Sequence, residues 1–254
     1  MSDSRYLVDL WCARASSDQP GILESCCEAS LCDDERVAAD RFRRSTTRNQ
    51  HVVGRGMART LLAGNVVRPQ AIVFDFNAHG KPDIVAPAEV KRPFNIAHTD
   101  GMVVFASCDT GMIGCDVERL SRNTDVGIAR RYFATPEIDY VMSHNGDDEM
   151  RLAFLRVWTL KESFIKAIGR GLSIPLADFA FEDIDSPAPR IRILDSTLGN
   201  GQDWRFAIAS PAEGYVAAVA INDSEVTRRG IGLRIREFES HLPQTTPPQT
   251  KQEA

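Results

Sequence analysis

Apolar side chains recur along this chain with two periods, and the places where one gives way to the other mark out the elements. Residues 5–15 alternate enough apolar positions (Leu7, Val8, Leu10, Trp11) to predict a strand. A polar loop through Pro20 leads to a short helix at 21–27, and two further helices are predicted at 33–44 and 46–62. In the second of these, Val53, Met57 and Leu61 recur every four residues as one buried stripe, which leaves Arg48, Arg55 and Arg59 elsewhere around the helix. A strand follows at 71–77, then a Gly/Pro-punctuated turn at 77–82. Residues 102–108 and 112–118 read as two strands of one hairpin across Asp109-Thr110-Gly111. Helices are predicted at 125–133, 136–144 and 148–168, the last stopped by Gly169 and Gly171, and strands at 204–209 and 215–221 form a closing hairpin. Beyond about Val226 the chain turns charged and then Pro/Gln/Thr-rich, with too few apolar residues to offset the entropy of ordering, so 226–254 is expected to be a disordered tail. Strands and helices in segregated runs favour an α+β fold over a doubly wound parallel sheet.

Composition narrows the function classes. The longest apolar stretches, 102–106 and 215–221, fall well short of the roughly 18 to 20 residues of a spanning helix. Residues 1–5 open polar, without the basic start and apolar run of a secretion signal, so a cytoplasmic protein with no membrane partner is expected. Thirty Lys and Arg against 35 Asp and Glu leave a formal charge of -5, which speaks against a nucleic-acid partner. One stretch departs from that balance: between residues 41 and 68 lie arginines 41, 43, 44, 48, 55, 59 and 68 and no Asp or Glu, a patch expected to dock an anion. The six cysteines contain no CxxC pair, so neither a zinc ribbon nor a disulfide framework is indicated.

Three groups of residues carry candidate chemistry. On a strand, Ile113, Cys115 and Val117 face one way and Asp116 and Glu118 the other, the two carboxylates roughly 7 Å apart. They could sit on either side of a hard cation such as Mg²⁺, or each find its own salt bridge on a solvated face. On the long helix Trp158, Glu162 and Lys166 are successive i, i+4 neighbours, readable as a core residue with a helix ion pair, or as a carboxylate and an ammonium aimed at a phosphate. Phe94-Asn95-Ile96-Ala97-His98 and Gly80-Lys81-Pro82 add a histidine and a lysine near the arginine-rich helix. Walker A, GxSxG and HExxH patterns are missing, and Gly54-Arg55-Gly56 has Arg59 where a dinucleotide fingerprint needs glycine.

In this order, arginine helix, GKP, FNIxH, GxDxE, FxxxE (Phe133 to Glu137) and WxxKExxxK (Trp158 to Lys166), the motifs resemble those of the Sfp-type 4'-phosphopantetheinyl transferases over about residues 5–222. The resemblance implies two similar α/β lobes packed as an intramolecular pseudo-dimer, 1–100 and 101–225, acting as a monomer. It implies transfer of 4'-phosphopantetheine from coenzyme A to a serine of an acyl or peptidyl carrier protein, the alternative being a catalytically inactive coenzyme A-binding relative. By the same likeness Asp116, Glu118 and Glu162 would bind Mg²⁺, and Arg48, Arg55, Lys81, His98, Asp116 and Lys166 would hold coenzyme A. Glu162, Lys166 and Asp116 would carry catalysis. Many relatives have serine on both sides of the histidine, where this chain has Ala97 and Thr99, so a hydroxyl contact to the cofactor is expected to be lost.

Overall fold

A computed structural model describes residues 5–242. The chain runs β1 (Tyr6–Ala13), α1 (Ile22–Ala29), α2 (Asp33–Asp40), α3 (Ser45–Ala63), β2 (Val73–Phe76), β3 (Pro82–Ala86), β4 (Phe94–Thr99) and β5 (Met102–Ser107). It continues β6 (Met112–Arg119), α4 (Ile128–Tyr132), α5 (Thr135–Met142), α6 (Asp147–Ile168), β7 (Phe179–Glu182), β8 (Arg190–Ile193), β9 (Arg205–Ala209) and β10 (Tyr215–Asn222), then ends with α7 (Ser224–Arg229) and β11 (Ile231–Glu237). The α+β expectation is met, and the same order of elements occurs twice: a strand, three helices, a small hairpin and a final strand pair. Sheet order repeats as well, β1-β5-β4 in the first half and β6-β10-β9 in the second.

Alternation along these strands explains the layering. Val8, Leu10, Cys12, Met102, Val104 and Ala106 of the first sheet meet Ile113, Cys115, Val117, Ala217, Val219 and Ile221 of the second in one shared core. The opposite faces are covered by helices: Val103 and Phe105 pack with Val53, Met57 and Leu62 of α3. Ala218, Ala220 and Phe206 pack with Leu160 and Phe164 of α6. Of the stripe expected on α3, Val53 and Met57 are therefore buried and Leu61 only in part, Leu62 taking the buried place beside it, and each apolar side chain fully enclosed contributes about 1.5–3 kcal/mol. The free edges of the two sheets approach at β4 and β6, where the Cys115 N–H donates to Asn95 Oδ1 at 2.9 Å. α6 starts with Asp147, Asp148 and Glu149, favourable against its dipole, and stops at Gly169 with φ 75°.

Two expectations need correction. Residues 102–107 and 112–119 do not pair with each other; β5 pairs with β4 and β1, and β6 with β10. The tighter turn wins, because Asp100-Gly101, with Gly101 at φ 77°, is the two-residue connection that suits a hairpin. The division between the sheets thus falls between Ser107 and Met112, not after residue 100. The expected tail is also ordered in part: β11 pairs in parallel with all but the end of β1, and Phe238 is fully buried. Alternating Ile231, Leu233 and Ile235 pack against the shared core, a pattern diluted in composition by Gly232, Arg234 and Arg236 on the alternate positions. Residues 243–254 lie outside the described residues.

Candidate active site

The site forms where β6 passes under α6. Gly114 makes that crossing close: a Cβ there would lie 2.1 Å from Ser163 O and 2.3 Å from Ala167 N, so only glycine lets the helix rest on the strand. Two and four residues further along the same face come Asp116 and Glu118, both nearly buried, while Ile113, Cys115 and Val117 turn into the shared core as their alternation requires. The facing turns of α6 supply Glu162 and Lys166. Lys166 Nζ lies 2.6 Å from Asp116 Oδ1, so the lysine pairs across the elements rather than with Glu162 on its own helix. Asp116 Oδ2 and Glu162 Oε1 are buried with no hydrogen-bond partner.

The electrostatics follow from this crowding. Burial pushes the Asp116 carboxyl up to about 6, with Lys166 opposing and Glu118 and Glu162 adding to the rise. Burial likewise raises Glu162, Lys166 counters it, and Glu118 adds to it. Burial works against the Lys166 charge, but Asp116 outweighs that and the ammonium ends above its ordinary value. Glu118 is held by Arg122 and accepts from Thr99 Oγ1 at 3.2 Å. Thr99 therefore serves a carboxylate, and Ala97 faces the shared core, which places the two departures around His98.

The three carboxylates are hard oxygen donors on one face, and the two orphaned oxygens are what an absent cation would leave, so they fit a divalent ion such as Mg²⁺. As they stand, Lys166 and Arg122 each occupy one carboxylate, and among the described residues no three His, Cys, Asp or Glu side chains close into a metal cluster.

His98 connects this crossing to two cavities. One, of about 480 Å³, opens over Glu118 between Thr99, Asp100 and Arg122. The other, of about 290 Å³, lies between α3 and β4 and is lined by His51, Arg55 and His98 together with Gln50, Thr47 and Phe42. Burial, and then the neighbouring Lys166, lower the His98 pKa.

The arginine-rich stretch divides sharply. Arg55 lines the smaller cavity, lies 4.9 Å over the Phe76 ring, and has Nη1 buried without a partner. Arg59 is 3% exposed and spent on Glu35 and the carbonyls of Pro69 and Ile72. Arg48 is not brought to the site: it pairs with Glu28 at 2.8 Å and Asp40 at 3.1 Å, acidic partners that α1 and α2 fold back beside it. Lys81 is used as a cap. Its Nζ donates to Ala167 O at 2.6 Å and Ile113 O at 3.2 Å, and burial draws its pKa down to about 8. Asn77 Nδ2 donates to Gly169 O at 2.8 Å, so the GKP turn seals the carbonyl end of α6.

Behind the site, Lys161 and Glu137 form an ion pair at 2.7 Å in which neither side chain is exposed. Lys161 also donates to Leu176 O and Phe179 O, both at 2.7 Å, and Glu137 accepts from the Phe181 and Ala134 N–H groups. Trp158 stacks on Phe154 with ring centroids 5.9 Å apart, packing that holds α6 in place. Sequence reasoning gave no role to Lys161, Thr99, Arg122 or His51, although Lys161 stands in the WxxKExxxK motif, Thr99 is one of the two departures around His98, and His51 lies four residues before Arg55 on one helix stripe.

Comparison with known proteins adds the following. The profile of the 4'-phosphopantetheinyl transferase superfamily matches residues 112–220, the half that holds β6 and α6. The chain is 31% identical over 217 residues to the 4'-phosphopantetheinyl transferase HetI of Nostoc sp., spanning 84% of this chain and 87% of HetI. A 4'-phosphopantetheinyl transferase of Bacillus subtilis is 33% identical over 190 residues, 72% of this chain and 83% of that protein. Sfp of Bacillus subtilis is 30% identical over 148 residues, 58% of this chain and 64% of its own length.

Proposed function

The chain belongs to the Sfp-type 4'-phosphopantetheinyl transferase family, and from that premise we propose that it moves the 4'-phosphopantetheine group of coenzyme A onto a serine of an acyl or peptidyl carrier protein, releasing adenosine 3',5'-bisphosphate. The observation that carries this reading is the pair of buried carboxylate oxygens, Asp116 Oδ2 and Glu162 Oε1, left without partners beside the Lys166 ammonium. Asp116, Glu118 and Glu162 would hold Mg²⁺, which when bound supplies charge neutralisation for the diphosphate and its leaving oxygen.

The remaining work falls to the chain itself. The serine oxygen bonds to the phosphorus that carries pantetheine, and the bond from that phosphorus to the bridging oxygen breaks. Lys166, kept cationic by Asp116, neutralises the phosphate oxygens as negative charge moves to the leaving side. Glu162, made more basic by burial, takes the serine proton directly or through one water. His98 stands between the two cavities and contacts the phosphates, and Arg55 holds a phosphate in the smaller one. Lys81 contributes by fixing the end of α6, so its part in cofactor binding is indirect.

The two halves are read as lobes of an intramolecular pseudo-dimer, a reading supported by the repeated element order and the matching sheet orders. The monomer reading rests on the same ground, since both halves of the pseudo-dimer belong to one polypeptide. The exposed Arg130, Arg131 and Tyr132 of α4 suit an acidic carrier surface.

Intact-mass measurement of several apo carrier proteins after incubation with this protein, coenzyme A and Mg²⁺ tests the function. A phosphopantetheine mass gain on at least one is expected; coenzyme A binding with no gain on any would favour the inactive relative.

A further inference from the structure

The two cationic side chains that occupy carboxylates at the candidate site are held in different ways. Lys166 stands on the long helix α6, which Gly114 lets rest on β6, and meets Asp116 across that crossing. Arg122 stands past the end of β6, where its N–H donates to Arg119 O at 3.0 Å and folds the chain back as a turn. From that turn its guanidinium pairs with Glu118 Oε1; the arginine side chain is 49% exposed and the carboxylate it meets only 8%. The other oxygen of Glu118 accepts from Thr99 Oγ1, and Thr99 ends β4 with its own carbonyl accepting from Gln50 Nε2 at 2.8 Å. Of the three carboxylates, Glu118 thus has one oxygen on a braced strand end and the other on a half-exposed turn, while Asp116 and Glu162 each keep an oxygen unpartnered.

We propose that Arg122 is the displaceable counter-ion of the site: it neutralises Glu118 until a divalent ion arrives and drives it into the cavity of about 480 Å³ that it lines, while Thr99 keeps the carboxylate aimed. The inference rests on the reading of Asp116, Glu118 and Glu162 as a divalent-ion site. Charge favours the exchange. Two cationic side chains already face three carboxylates, so a divalent ion added to all five would leave the cluster net positive, and departure of Arg122 restores balance. A guanidinium does not shed its proton, so it relieves that excess only by moving. Its exposure and the open cavity beside it make the movement cheap, which Lys166 on its helix lacks. Arg122 acts through Glu118 and is a positioning residue.

Mn²⁺ uptake by the full chain, read from the paramagnetic resonance of the free ion with and without coenzyme A, tests this together with thermal melting. Arg122→Gln should bind Mn²⁺ roughly three- to fivefold more tightly than wild type, the range of a half-exposed ion pair. By linkage the same variant should melt below wild type in chelator and match it at saturating Mn²⁺, because the arginine stabilises only the cation-free form. Arg119→Gln is the control. Arg119 lines the same cavity but pairs with Asp100 at 2.7 Å, so its loss removes the same charge without freeing Glu118, and affinity should stay within about twofold. A gain under about twofold for Arg122→Gln, an equal gain for Arg119→Gln, or a melting deficit that saturating Mn²⁺ leaves in place would each overturn the exchange while the divalent-ion reading stands. Wild type that takes up no Mn²⁺ in either condition would overturn that reading and the exchange with it.

Discussion

Replacing Lys161 by methionine is the sharpest test of how the site is held. The ammonium is enclosed by Glu137 Oε2, Leu176 O and Phe179 O, each at 2.7 Å, and sits 4.2 Å from the Phe179 ring centroid, with no exposed side-chain surface on either member of the pair. Methionine fills much the same volume but leaves a buried carboxylate without its cation and two carbonyls without donors. Breaking a buried pair from one side costs about 3–5 kcal/mol. At about 2–4 °C per kcal/mol for a chain of this size, the melting temperature should fall by roughly 6–20 °C. The loss should also depend on pH. Burial already raises the Glu137 pKa and Lys161 opposes that rise, so without the lysine the folded protein holds a proton that the unfolded chain releases. The variant's deficit should therefore shrink as pH falls toward 5 and grow toward 8. Urea unfolding at both pH values, with Glu137→Gln and the double variant alongside, measures this; the double variant should lose less than the sum of the single losses. A deficit under about 1 kcal/mol, or one unchanged with pH, would refute the claim that this pair anchors α6.

Further outcomes are expected. Asp116→Asn should abolish carrier modification while far-UV circular dichroism stays native, and any Mg²⁺-induced stabilisation, about 2.7 kcal/mol at a hundredfold excess over Kd and read as a rise in melting temperature, should disappear with it. Ending the chain at Gly230 removes β11 and the buried Ile231 and Phe238, and at about 2 kcal/mol for each side chain should cost at least ~4 kcal/mol by urea unfolding. Arg55→Ala should raise the KM for coenzyme A by on the order of tenfold, whereas Arg48→Ala, removing only partly exposed pairs with Glu28 and Asp40, should leave that KM within twofold.

Much of this was legible in the residues. Period alone placed α3 and α6 to within a residue or so, and the alternation of 113–118 put Asp116 and Glu118 on one face, as observed. What failed depended on contacts between distant segments. Whether β5 turns back on β4 or forward to β6 is decided by two competing glycine turns, and local pattern weighs them almost equally. β11 is stabilised by β1, more than 200 residues away, so composition made it look unstructured. Arg48, Arg55 and Arg59 are alike as letters on one helix; only the acids brought beside them by α1 and α2 distinguish a surface pair, a cavity-lining guanidinium and a buried brace.

The interior common to both sheets has a further consequence. Neither half owns its inward face, so neither has a hydrophobic centre complete enough to persist alone, and the duplicated pattern should melt as one cooperative unit. The loop at Asp109-Thr110-Gly111 then acts as a tether that keeps two mutually dependent pieces at high effective concentration. Because the carboxylates and Lys166 of the candidate site stand on one piece and His98, Thr99 and Arg55 on the other, any breathing motion wide enough to separate them would wet the shared interior, and that cost is what keeps the two sets in register.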